Sequence, residues 1–147
     1  MAASPDDTTA LLARIDLFSG LSSRQLGRLA GRAKEVHHPA GRTVSREGSI
    51  GLGFHLILDG EATVSQGATV RRRLGPGEYF GEISMIDGKR RSATVTAETP
   101  LRTLTVPHAT FEELVDADPD FARGLLTVLC ARLREAESAR ADQAVTG

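Results

Sequence analysis

The spacing of apolar residues changes twice along this chain. Leu11, Leu12 and Ile15 fall on one face of a helix over 8–15, and after a turn at 18–21 a second helix carries Leu26, Leu29 and Ala33. Ser22 and Gln25 have the spacing of a capping box at its start. From Lys34 the period drops from helical to alternating, and turn residues recur at 39–41, 48–49, 59–60, 67–68 and 75–77. Short strands at such intervals predict a barrel or jelly roll, with 43–45, 54–58, 61–65, 69–74, 92–96 and 101–106 as strands. Helical spacing then returns. Pro107 suits a first helical position, 108–115 carries Phe111, Leu114 and Val115, and Asp118 with Pro119 opens a last helix reaching about Asp142. Phe121, Leu125, Val128, Leu129 and Leu133 make one stripe on it. The class is α+β, mainly β: a jelly-roll-like β-roll over 34–106 between an N-terminal helical segment over 8–33 and C-terminal helices over 107–142. Residues 1–7 are expected as a disordered lead and 143–147 as a tail.

Composition alters this picture mainly by exclusion. A chain of 147 residues that is 40% hydrophobic and 25% charged builds one soluble domain with its own core. Eighteen basic residues against nineteen acidic ones leave a net charge of −1, so nothing draws nucleic acid or a membrane broadly and partners have to be recognised locally. No stretch approaches about eighteen apolar residues, and the N-terminus has no basic region before an apolar run, so the expected location is the cytoplasm. The single cysteine, Cys130, cannot form an internal disulfide; within the helical run 125–133 it reads as a small buried hydrophobe.

Candidate chemistry concentrates in 77–97. The turn at 75–77 delivers the chain from a strand, and Gly81 lets the backbone approach a ligand where a Cβ would obstruct it. Glu82 to Ile86 fits one helical turn, whose unpaired amides and dipole suit a small anion. Asp87-Gly88-Lys89 ends that turn, and Arg91 leads into the β-branched run that follows. The planar fork of Arg91 can pair bidentately with phosphate oxygens, and Ser92 adds a hydroxyl donor beside it. Glu82 would repel phosphate but can accept hydrogen bonds from a sugar hydroxyl. Phosphate beside ribose describes a nucleotide. The competing reading is an exposed Glu82–Arg91 ion pair without a ligand.

Phe80-Gly81-Glu82-Ile83-Ser84, followed without gaps by Arg91-Ser92-Ala93-Thr94-Val95, resembles the phosphate-binding cassette of cyclic nucleotide-binding domains of the catabolite activator and protein kinase A regulatory subunit type. Arg90 departs from it, since many members carry proline there. Residues 17–41 resemble the family's helical lead-in, and Glu47-Gly48 with 54–60 its strand and glycine turn. The resemblance implies a bacterial-type sensor whose C-terminal helix can close over cyclic AMP, with cyclic GMP left open because Ser92 suits either. Gly81, Glu82, Ile83, Arg91, Ser92 and Ala93 would contact phosphate and ribose, with the Ser92 and Ala93 amides completing the cradle. Ser84 would be a further hydrogen-bond donor and Phe80 the core residue beside them. In the catabolite activator branch, hydroxyl residues on the last helix meet the adenine. Here that stretch reads Glu135-Ala136-Glu137-Ser138, and only Ser138 resembles them, displaced.

The remaining candidates have plainer readings. Arg71, Arg72 and Arg73 alternate faces on a strand and read as a solvated hairpin. His37 and His38 point apart, and no cluster at ligand spacing follows, so no metal or other cofactor is expected. His55 and His108 are isolated and read as packing or surface residues. No nucleophile has a base at a motif spacing, so binding is expected rather than catalysis. The stripe on the last helix either packs on its own barrel or forms a homodimer seam. At about twenty-four residues, roughly 36 Å, the helix exceeds what one small barrel covers, which favours the seam. Five residues follow Asp142, so no DNA-reading, kinase, cyclase or channel segment is expected, and output would pass through a dimer or a partner protein. Two alternatives stay open: an interaction protein that keeps the fold without the ligand, and a regulatory domain cut from a longer chain.

Overall fold

Among the described residues, eight short strands pair antiparallel into two four-stranded sheets between Arg32 and Glu113. In this computed structural model, which describes residues 5–49 and 53–146, the strands are β1 Lys34–His38, β2 Thr43–Ser45, β3 Gly53–Asp59, β4 Ala62–Gln66, β5 Thr69–Leu74, β6 Tyr79–Phe80, β7 Thr94–Ala97 and β8 Leu101–Pro107. One sheet has the order β1-β8-β3-β6 and the other β2-β7-β4-β5. Strand β3 lies inside its sheet, and its residues 53–57 are buried without alternation, as a strand covered on both faces requires. Edge strand β5 is exposed until Leu74, and its three arginines blunt that edge against further pairing. Ile57, Ala62, Leu74, Phe80, Val95, Ala97 and Leu101 form the core between the sheets, with Val44 and Val64 packed against it.

Among the described residues, a second unit comprises 5–31 and 114–146. Helix α1, Pro5–Ala13, leads through a 3-10 turn at Asp16–Phe18 into α2, Ser23–Arg32. Leu12, Leu17, Phe18 and Leu29 are fully buried. The capping box forms as expected: the Gln25 amide donates to Ser22 Oγ at 3.2 Å, and the Ser22 amide donates to Gln25 Oε1 at 2.9 Å. Helix α5, Pro119–Thr146, begins with the Asp120 amide donating to Asp118 Oδ1 at 3.1 Å, the cap expected of Asp118. It packs on the 3-10 turn, where a Cβ on Gly20 would stand 2.3 Å from the Gly124 carbonyl oxygen.

Several boundaries differ from expectation for local reasons. Helix α1 starts at Pro5, taking in residues expected as lead, because proline is well placed where the amide would be unpaired anyway; residues 1–4 lie outside the described ones. Pro107 closes β8 opposite Gly53, so α4 is His108–Ala117. Helix α5 runs on through the expected tail to Thr146, while Gly147 is not described. Strand β7 starts at Thr94, leaving Ser92 and Ala93 in the loop before it. Cys130 is exposed, not buried. Phe121, Leu125 and Val128 define the buried stripe, and Cys130 lies about 200° around the helix from Val128. Leu133, expected in the same stripe, is also exposed. Among the described residues no helix is long and apolar enough to cross a membrane.

Candidate functional site

Gly81 opens the site. It holds φ +83° as the N-cap of α3, Glu82–Asp87, and a Cβ there would lie 2.1 Å from the Gly53 carbonyl oxygen and 2.2 Å from Arg91 Nη1. Its glycine is therefore fixed by the protein's own backbone and by Arg91, before any ligand is considered. Gly88 closes α3 with φ +68°, and its amide donates to the Ser84 carbonyl at 2.8 Å. His108 then holds the helix from the start of α4. Its Nδ1–H donates to the Met85 carbonyl at 2.6 Å, while Nε2 faces Glu112 Oε1 at 2.9 Å. Isolated in sequence, His108 is a tether for this helix.

Arg91 is buried, with 7% of its surface exposed. Its amide donates to the Ser49 carbonyl at 2.8 Å, and its own carbonyl accepts from the Gly48 amide at 2.9 Å, so the loop is pinned on both sides. Nη2 donates to the Gly53 carbonyl, while Nε is buried and has no partner among the described residues. Burial disfavours the charged form and lowers the Arg91 pKa, an effect the nearby Glu82 carboxylate opposes. The two do not form an ion pair among the described residues, so the exposed-pair reading does not describe this site. Arg90 donates to the Gly48 carbonyl at 2.7 Å, bracing the loop by a hydrogen bond.

Phe80, Gly81, Glu82, Ile83, Ser84, Arg91, Ser92 and Ala93 all line a single cleft. Ser84 is buried, Glu82 and Ala93 are half-buried, Ser92 is exposed and Ile83 is 68% exposed. Phe80 belongs to the core and to the cleft wall together, stacked on His55 at 4.8 Å. His55 accompanies Arg91 in this interior. Its Nδ1 meets Thr105 Oγ1 at 2.9 Å, its Nε2 has no partner among the described residues, and burial, followed by the charges of Arg91 and His38, lowers its pKa to about 3. A neutral ring there adds no second cation behind Arg91.

Ser45, Val64, Arg72 and Val95 also line the cleft; Ser45 and Val64 carried no functional reading, Val95 was read only within the cassette's strand, and Arg72, read as part of a solvated hairpin, is exposed but belongs to the cleft wall. Ser45 is buried and its Oγ is unpartnered among the described residues. One signal for Arg72 was available: it shares the parity of Leu74, which faces the core, whereas Arg71 and Arg73 do not. The cleft thus presents two guanidiniums, one carboxylate, hydroxyls and backbone amides around an apolar floor. That set suits a small ligand with an anionic group, a polyol and a flat apolar part.

Residues 35–118 match the cyclic nucleotide-binding domain family. The chain is 38% identical over 115 residues to the cAMP-dependent protein kinase regulatory subunit of Schizosaccharomyces pombe, an overlap of 78% of this chain and 28% of that protein. It is 28% identical over 137 residues to the CRP-like cAMP-activated global transcriptional regulator of Mycobacterium tuberculosis, covering 90% of this chain and 61% of the relative. It thus spans less than two thirds of the length of either. Among solved structures, the N-terminal domain of a transcriptional regulator from Streptomyces coelicolor superposes with a TM-score of 0.80 at 28% identity, over 88% of this chain and 96% of that one.

Proposed function

The chain belongs to the cyclic nucleotide-binding domain family, and on that premise we propose that its cleft binds a purine 3′,5′-cyclic nucleotide and reports the binding without turning it over. Arg91, the Ser92 hydroxyl and the Ser92 and Ala93 amides take the phosphate. Glu82 accepts from the ribose hydroxyl, and Ile83, Val64 and Val95 face the apolar parts of the ligand. The names of the kinase and regulator relatives support cyclic AMP, with cyclic GMP the other candidate. The observation that carries the reading is Arg91: a buried guanidinium in an open cleft, with one nitrogen unpartnered and no ion pair among the described residues.

Output is assigned to α5, whose position the ligand biases by binding one pose better than another. Leu126, Cys130 and Leu133 are exposed at helical spacing on α5 and support contact with a second copy or a partner protein in the cytoplasm. Calorimetric titration with cyclic AMP and cyclic GMP tests the reading. The chain is expected to bind, and Arg91→Ala to weaken binding by about a hundredfold, the loss of a charge-assisted bidentate contact. Equal binding by the variant would overturn it.

A further inference from the structure

One hydroxyl in the cleft wall does nothing for the fold. Ser45 is the last residue of β2, 6% exposed, and pairs with Val95 of β7, which is buried as well. Both line the cleft. Ser45 Oγ is buried and has no partner among the described residues. The buried threonine hydroxyls of the roll are matched: Thr63 Oγ1 donates to Glu98 Oε1 at 2.9 Å, Thr105 Oγ1 meets His55 Nδ1 at 2.9 Å, and Thr103 Oγ1 meets Thr105 Oγ1 at 3.3 Å. A valine or isoleucine would suit a buried strand position beside Val95 and leave nothing unsatisfied, whereas a buried hydroxyl without a partner lowers stability. The chain beyond Ser45 runs back along the cassette loop. The Glu47 amide donates to Thr94 Oγ1 at 2.9 Å, the Gly48 amide to the Arg91 carbonyl at 2.9 Å, and the Arg91 amide to the Ser49 carbonyl at 2.8 Å. Ser45 is thereby fixed about 4.8 Å across the sheet from β7, the strand into which Ser92 and Ala93 lead, on the side away from Val64.

Resting on the cyclic nucleotide reading above, we propose that Ser45, which lies outside the cassette, is a further ligand contact whose hydroxyl donates to one exocyclic oxygen of the phosphodiester. Val64 lies on one side of Val95 and Ser45 on the other. A ligand whose ring covers the valines therefore leaves the hydroxyl to its anionic end, beside the loop that carries Arg91. Glu82 can only accept and is taken up by the ribose hydroxyl, while a serine hydroxyl is a donor, and an anionic oxygen is its strongest acceptor. The free protein carries the unmatched hydroxyl and the bound one satisfies it, so Ser45 exchanges stability for affinity. Every cyclic nucleotide has the same phosphodiester, so the contact strengthens all of them and discriminates between the two exocyclic oxygens, not between bases.

The test is titration of the full chain and of Ser45→Ala with cyclic AMP, cyclic GMP and the Rp and Sp phosphorothioates of whichever binds more tightly. Each phosphorothioate replaces one exocyclic oxygen by sulfur, a weak acceptor. Ser45→Ala is expected to lose about tenfold for cyclic AMP and cyclic GMP alike, the loss of a hydrogen bond to a charged group. For one phosphorothioate the loss is expected to stay at about tenfold, and for the other, with sulfur facing Ser45, to shrink below about threefold. The thermal midpoint of the unliganded variant is expected to equal or exceed that of wild type, because an unsatisfied hydroxyl has been removed. A lowered midpoint would show that the hydroxyl serves the fold and would overturn the assignment. So would an unchanged affinity, a loss for one base only, or equal losses for the parent nucleotide and both phosphorothioates, each of which leaves nucleotide binding intact. Wild type that binds none of these ligands would overturn the binding function itself, and this inference with it.

Discussion

Arg91 and Arg72 line one cleft in opposite circumstances. Arg91 is buried, pinned through its amide and carbonyl to the 48–49 loop, and held by the Gly53 carbonyl; Arg72 is exposed on an edge strand with its side chain unengaged among the described residues. The first has been desolvated and ordered during folding, so a ligand anion meets a donor set already in place. The second stands in water, and anything that bound it would first have to order it, at a cost the fixed arginine does not carry.

The largest expected effect comes from forcing the fixed arginine to move. Gly81→Ala places a Cβ against the Gly53 carbonyl and the Arg91 guanidinium at a positive φ. We expect it to cost roughly 3 kcal/mol of stability or more in denaturant titration and to abolish nucleotide binding. A variant of wild-type stability and affinity would show that Arg91 is not held as described. Ordinary cleft substitutions at Arg72 carry no such penalty, which is the contrast to look for.

A smaller effect comes from protonating the interior beside Arg91. The His55 pKa is lowered to about 3 from 6.5, so the unfolded chain binds the proton more readily between those values. The contribution is fully present above about pH 6.5 and is lost as pH falls, reaching about 2 kcal/mol by pH 5. His38, lowered chiefly by burial, acts in the same direction. Denaturant midpoints from pH 7.5 to 5 measure the slope, which is expected to flatten in His55→Asn. An unchanged slope in that variant would remove His55 from the account.

The cassette was legible because its residues are contiguous: Phe80 to Ala93 carry their own turn, helix and loop, and all eight candidates meet in one cleft. The strands were legible from glycine turns and alternation. The rest depends on pairing. Ser45, Val95, Val64 and Arg72 come from strands far apart in sequence and become neighbours only through register, which a bulge between Val64 and Ser65 further displaces. Two-residue β6 is too short to show a period and exists through its pairing with His55 and Leu56. Cys130 was misjudged because an apolar run names the residues of a helix without fixing which face is covered.

The measurement that tests the central claim most directly is an amide chemical-shift map of the isotopically labelled chain during titration with cyclic AMP and, separately, cyclic GMP. The account expects the largest shifts at Gly81, Glu82, Ser92 and Ala93, and expects them to be lost in Arg91→Ala. Shifts confined to residues outside this cleft, or none at saturating nucleotide, would contradict it.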